Sequence, residues 1–359
     1  MINPQGNYIK DKCEGCNKFI LLHNRIMTCS TCEIIIHSQC AKNLFQYDHI
    51  KNCWQCYKCA SNATLKYNPF STISYDRHDP VNIAEFEDVT EISKILEDCQ
   101  SYDLQKFKSF MQLNNSKGKN MSGLFNNIDG NATNFDSFVT EIDRYRHAFS
   151  FIGIAETNVN VCDKGLYRMP GYNSEYNDKI PDKIKGSGVA LYIKENFTFT
   201  RMNSLCQCST NLETLFVEIT NIDKPHIVGI MYRPPSGVKS ESLIEFDEIM
   251  KKLPDKNVTL FGDFNFNLFE PEISSSFESS MYGANMIPVI SLATHEKPGC
   301  RPTLIDNILI NSTEKLIGAG VFESGVSHHL PIFISLIVKP PQVNWVRKHP
   351  PNMTIVNQT

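Results

Sequence analysis

After residue 120 the chain alternates short apolar runs with polar turns. The runs are "GLFNN", "FSFIGIAE", "SGVALYI", "TLFVEI", "HIVGIMY", "VTLFGDF", "LIDNILI" and "LPIFISLIV". Several are continuously apolar, the pattern of strands covered on both faces. Two stretches have a helical period instead. Residues 135–146 put Phe135, Phe138, Val139 and Ile142 on one face. Residues 242–253 open with Ser242 and Glu245, a capping box, and turn Phe246, Ile249, Met250 and Leu253 inward. Upstream, Phe86, Val89, Ile92, Leu96 and Cys99, then Leu104, Phe107 and Met111, predict amphipathic helices within 85–112. Their heptads are too few for a dimerising coil, so packing on a neighbour is expected. Residues 60–83 lack periodicity and read as linker, and "NNSKGKN" at 114–120 reads as a domain boundary.

Polar residues fall where the strands end. Asn127, Glu156, Tyr232, and Asp263 with Asn265 close four of them. Asp306 lies within "TLIDNIL", and His329 opens the last run. One strand-terminal Asp or Asn is ordinarily a turn former. A series of acids, amides and an imidazole is what a rigid sheet needs to present chemistry at one rim.

Composition adds two things. Net charge is only −4, which is no electrostatic footprint for nucleic acid. Residues 1–60 carry seven Lys and Arg against four Asp and Glu, so the acidic surplus lies downstream. Cysteine is crowded at the start: eight of thirteen lie between Cys13 and Cys59, at spacings of Cys13-x2-Cys16, Cys29-x2-Cys32, His37-x2-Cys40, and "CWQCYKC". Pairs two apart aim two thiolates at one ion, so four pairs imply two tetrahedral zinc sites whose metal stabilises the segment. With no apolar leader and no membrane-length run, a reducing intracellular, nuclear location is expected, without membrane.

The order of four cysteines, one histidine and three cysteines resembles the PHD finger. That resemblance implies a cross-brace over 10–61. One zinc would sit on Cys13, Cys16, His37 and Cys40, the other on Cys29, Cys32, Cys56 and Cys59. Trp54 selects the last pair, with Cys53 spare and His23 and His49 outside the register. Ile36 stands where the better histone readers carry an aromatic. Histone-tail binding through Tyr8 therefore stays open beside self-association and nucleic-acid contact.

"FNN-ID-G", "IAET", "GSGVALYI", "YRPP", "GDFN", "TLIDNIL" and "S-x-HLPIF" together resemble the endonuclease/exonuclease/phosphatase superfamily. They are most similar to the apurinic-type endonuclease of LINE-like retrotransposons. The resemblance implies an α/β fold, a four-layer α/β/β/α sandwich over 121–339, followed by a Pro-rich tail at 340–359. It also implies hydrolysis of a phosphodiester in duplex DNA with Mg²⁺ or Mn²⁺, a nick that leaves a 3′-hydroxyl. Glu156 would ligate the metal and Asn127 help to order it. Asp263 would act as base and Asn265 hold it or the phosphate. Tyr232 would donate to the phosphate, and His329 would meet it, oriented by Asp306. Arg233 and Arg301 are candidate phosphate contacts, and 272–285 a candidate target-reading loop. Where the family reads Ser-Asp-His, this chain reads Ser327-His328-His329. The imidazole is a poor Mg²⁺ ligand, so weakened activity is expected. The alternatives are an inactive transposon relic that binds chromatin or DNA through its finger, and a small-phosphoester phosphatase. The reverse transcriptase that follows in complete elements is not in this sequence.

Overall fold

A computed structural model describes residues 66–69, 83–114, 119–180 and 185–338, together with six short strands before them. Those six pair as antiparallel hairpins: β1 (Tyr8–Lys12) with β2 (Phe19–Leu21), β3 (Ile26–Thr28) with β4 (Ile35–His37), and β5 (Phe45–Asp48) with β6 (Cys53–Cys56). Of the expected zinc ligands, Cys13, Cys16, Cys29, Cys32, Cys40 and Cys59 lie outside the described residues, as does the tail. Of His37 and Cys56 only the backbone is described.

The rest is a four-layer α/β/β/α sandwich, whose two mixed sheets follow from the apolar runs. In chain order its elements begin with α1 (Ile83–Asp98), β7 (Gln100–Tyr102), α2 (Leu104–Asn114), β8 (Lys119–Asn127), α3 (Asn131–Ile142) and β9 (Phe151–Ala155). Then come β10 (Tyr172–Asn177), β11 (Val189–Lys194), β12 (Phe199–Arg201), β13 (Gln207–Cys208), β14 (Glu213–Ile219) and β15 (His226–Tyr232). The last are α4 (Lys239–Lys252), β16 (Asn257–Asp263), α5 (Pro271–Gly283), β17 (Ile287–Pro288), β18 (Asp306–Ile310), β19 (Leu316–Phe322) and β20 (Ile332–Val338). One sheet runs β10-β11-β9-β8-β20-β19-β7, the other β12-β14-β15-β16-β18-β17, with β13 added beside β14.

Inner side chains of the two sheets interlock through glycines. A Cβ on Gly123 of β8 would lie 2.2 Å from the Phe261 ring of β16, so a glycine there lets the opposing ring reach the backbone. Outside the first sheet, Phe107 of α2 and Phe135 and Phe138 of α3 pack with Phe149, Tyr192 and Phe333. On the other side Phe246 of α4 and Phe277 of α5 meet edge to face, and Phe277 stacks on Phe266.

Several expectations are corrected. The folded region starts before residue 121: β7 adds to the sheet edge in parallel with β19, and Leu96, Cys99 and Phe107 are buried. Short, largely polar stretches hid β10, β12 and β13, whose pairing comes from neighbours rather than from their own apolar content, and β17 is only two residues long. Ser242 and Glu245 form no capping box. The helix starts earlier, after Val238; the Ser242 hydroxyl donates to the Lys239 carbonyl, and Glu245 accepts from Gln207, Ser209 and Asn211. Residues 272–285, read as a rim loop, are largely helix α5, which starts at Pro271 and buries Ser274, Phe277 and Met281.

His226 heads β15 at the end of the sandwich away from Tyr232. It is buried and hydrogen-bonds Thr259 Oγ1 at 2.9 Å. Burial, then the nearby Lys315, pushes its pKa down to about 3. The folded state therefore refuses a proton that the unfolded chain accepts below about 6.5. Nothing is lost above that pH; stability falls as pH drops from there toward 3. His226→Gln is expected to be less acid-sensitive than wild type by about 2–3 kcal/mol at pH 4.5 relative to pH 7, read by denaturant unfolding at both pH values.

Candidate active site

Register brings the strand-end residues to one rim. In the second sheet Tyr232, Asp263 and Asp306 lie side by side, Tyr232 opposite Asp263 and Asp263 opposite Asp306. In the first, Asn127 ends β8 opposite Ala155, and Glu156 follows directly. Glu156 has a positive φ of 54°, a conformation uncommon outside glycine that turns the chain sharply at the strand end.

The side chains form one connected network. Asn127 Nδ2 donates to Glu156 Oε1 and to Asp263 Oδ2, both at 2.9 Å. Tyr232 donates its hydroxyl to Glu156 Oε1 at 2.9 Å. His329 Nδ1 lies 2.9 Å from Asp306 Oδ2 and 4.0 Å from Asp263 Oδ2. Ser327, which the sequence offered only as part of a motif, donates to the Asn127 carbonyl and accepts from the His329 amide, tying the histidine loop to β8. Thr294, also unremarked in the sequence, accepts from the Ile305 and Asp306 amides. The neighbouring His295 ring lies against that of His329, centroids 4.7 Å apart.

Burial sets the electrostatics. Asp263 is 1% exposed, and its carboxyl is raised by burial first and by the adjacent Asp306 second. Burial works against protonation of His329, but the charge and hydrogen bond of Asp306, with Asp263 and Glu156 behind, hold it above the ordinary imidazole value. Burial and then His329 push His295 down to about 4, so it is neutral. The rim thus pairs a carboxyl titrating upward with an imidazolium, the separation that acid–base chemistry needs.

The hydrogen bonds fix how each expected side chain is turned. Asn127 Oδ1 accepts from the Asp129 amide, and its NH₂ end faces the carboxylates as a donor. The Tyr232 hydroxyl donates to Glu156. Asn265 holds Asp263 through its backbone amide, which donates to Oδ1 at 3.1 Å, while its side chain donates to the Arg233 carbonyl. Arg233 is no phosphate contact. It is 3% exposed, donates to the carbonyls of Pro234, Gly237, Phe264 and Asn265, and lies over the Phe266 ring. Arg301 is exposed. His328 is exposed too, its ring 6.3 Å from that of His295.

The donor set fits a divalent cation. Among the described residues both hydrogen bonds to Glu156 fall on Oε1, leaving Oε2 for an ion. Carboxylate oxygens of Asp263 and Asp306 stand within 4.8 Å of one another beside it. Hard carboxylate oxygens suit Mg²⁺ and Mn²⁺. Arg233 keeps this turn in shape by filling four carbonyls with one planar fork, which an ammonium cannot copy. Arg233→Lys is expected to lose about 3 kcal/mol of stability in denaturant unfolding.

No protein-family model matches the sequence, and no curated protein matches it. Solved structures do. The endonuclease domain of TRAS1, a telomere-specific non-LTR retrotransposon, superposes with a TM-score of 0.51 at 11% identity, over 62% of this chain and 100% of that one. An AP endonuclease, LMAP from Leishmania major, gives 0.47 at 13% identity over 62% and 90%. TDP2 from D. rerio, complexed with single strand DNA product, gives 0.43 at 12% over 60% and 98%. At such identities the likeness is one of fold alone: the chain carries the sandwich seen in the TRAS1 endonuclease domain.

Proposed function

We propose that the chain is a divalent-metal-dependent phosphodiester hydrolase that nicks duplex DNA, of the retrotransposon-endonuclease type. The observation that supports this most is the Asn127-bridged network, which gathers Glu156, Asp263, Asp306 and His329 at one rim. A Mg²⁺ or Mn²⁺ ion bound at Glu156 would supply positive charge beside the phosphoryl oxygens. Asp263, fixed by the Asn127 side chain and the Asn265 amide, takes the proton from the attacking water. Its raised pKa makes it a better base near neutrality than an ordinary carboxylate. His329, kept protonated by Asp306, faces the phosphoryl group with its other nitrogen and offsets the charge that builds there. Tyr232 keeps Glu156 in place. His328, in the position of a family carboxylate, removes one anion from the mouth and weakens use of Mg²⁺. The N-terminal cysteine pairs are proposed to hold two structural zinc ions.

A plasmid-nicking assay with Mg²⁺ and Mn²⁺ titrations tests the reading. Asp263→Ala and His329→Ala are each expected to reduce nicking by about 10²–10⁴-fold. His328→Asp is expected to raise the rate in Mg²⁺. Intact supercoiled plasmid in both metals, alongside turnover of a soluble phosphomonoester, would instead indicate a phosphatase. No turnover of either, with cutting restored by His328→Asp, would indicate an inactive copy.

The pH profile gives a second check. Asp306 raises both Asp263 and His329, so Asp306→Asn should move both limbs of the bell toward acid, by about one unit or more. Wild type should show its acid limb above the ordinary carboxylate range and its alkaline limb above the ordinary imidazole range.

A further inference from the structure

One fully buried carboxylate takes no part in the chemistry just described. Glu213 opens β14 directly opposite Tyr232, and it is 0% exposed. A carboxylate so placed is costly to desolvate unless donors surround it. Two donors come from a single loop: Ser187 Oγ to Glu213 Oε1 at 2.8 Å, and the Gly188 amide to Oε2 at 2.5 Å.

That loop is joined to the turn that carries Glu156. The Thr157 amide donates to the Gly188 carbonyl at 3.0 Å, and the Asn158 amide to the Ser187 carbonyl at 2.8 Å. In return the Ser187 amide donates to Asn158 Oδ1 at 3.2 Å. Both segments are held in a region of backbone space that is rarely occupied. Glu156 and Asn158 have φ of 54° and 53°, and Gly186 and Gly188 have 69° and 90°. Non-glycine residues stay there only when their surroundings hold them. Gly186 then comes so close to the site that a Cβ on it would lie 3.4 Å from the Tyr232 hydroxyl and 3.7 Å from Glu156 Oε2.

We propose that Glu213 is a positioning residue for the cation-binding carboxylate. Its anchored loop, Gly186 to Gly188, locks the Glu156 turn and sets Glu156 Oε2 toward the ion. The proposal rests on the hydrolytic reading above for the presence of that ion, and it deepens it. The link runs Glu213, Ser187 and Gly188, then Thr157 and Asn158, then Glu156. It crosses from the second sheet to the first, alongside the hydroxyl of Tyr232.

Mn²⁺ affinity, read by electron paramagnetic resonance on the zinc-replete full chain, tests it beside plasmid nicking. Glu213→Ala is expected to weaken Mn²⁺ binding by about 10–100-fold, the usual effect of removing a partner that orients a metal ligand. Glu213→Gln, which still accepts from Ser187, should recover much of that loss. His226→Ala, at the opposite end of the sandwich and destabilised for unrelated reasons, should bind Mn²⁺ as wild type does. Should Glu213→Ala fail to fold, Ser187→Ala removes one bond of the same anchor and should weaken Mn²⁺ binding several-fold. The proposal is overturned if the folded Glu213 or Ser187 variants bind Mn²⁺ like wild type, or if His226→Ala weakens binding as much as they do. A wild type that binds Mn²⁺ with this pattern of variants but leaves plasmid uncut would keep the positioning role and remove the nuclease reading. A wild type that binds no Mn²⁺ would remove both.

Discussion

Everything at the rim depends on one amide. Asn127 stands on the first sheet and divides its NH₂ group between a carboxylate of its own sheet, Glu156, and one of the opposing sheet, Asp263. Neighbouring carboxylates repel each other where water screens them poorly, and Asp263 is buried while Glu156 is partly so. A neutral donor between them lowers that repulsion without adding a charge, and its two hydrogens fix the separation of the acids. Tyr232 makes the reciprocal link, from the second sheet to Glu156. The sheets are thus joined at their polar edge by hydrogen bonds and along their depth by rings such as Phe261 lying over glycine. A site built across such a seam requires both sheets to be formed before it exists.

The same arrangement explains the opposite titration of Asp263 and His329. Burial alone would neutralise both. Asp306 decides the outcome because it touches the imidazole and crowds the neighbouring carboxyl. One anion therefore favours the charged form of one neighbour and the neutral form of the other, and the pair becomes a proton acceptor beside a cation.

Much of this was legible in the chain. Each long apolar run became a strand, because a segment buried on both faces must declare itself in its own residues. The strand-end residues were legible for the same reason: polar groups that close such runs have few places to go but the rim. What the sequence hid was set by partners. β10 and β12 are polar enough to pass for loop and are strands because β11 and β14 offer free edges. Arg233 reads as a candidate phosphate contact, and only the fold shows four carbonyls converging on it. The side-chain ends of Asn127 and the destination of the Tyr232 hydroxyl depend on a network no local pattern encodes. Glu213 was passed over because it falls just ahead of the apolar run that begins at Thr214. Ser242 and Glu245 have cap spacing, yet the Ser242 hydroxyl turns to the Lys239 carbonyl of its own helix and tertiary partners claim Glu245.

The edge strand β7 has a practical consequence. It pairs in parallel with β19, and Tyr102 at its end sits edge-on to Phe333. A fragment cut at residue 121, where the motifs begin, would strip that strand and the α2 helix behind it. The backbone of β19 would then offer an open ladder, and Phe322 and Phe333 a bare aromatic face. Unprotected edges of this kind recruit other chains. Excision at the first motif would therefore yield a self-adhering sheet, and a well-behaved domain must carry its upstream helices with it.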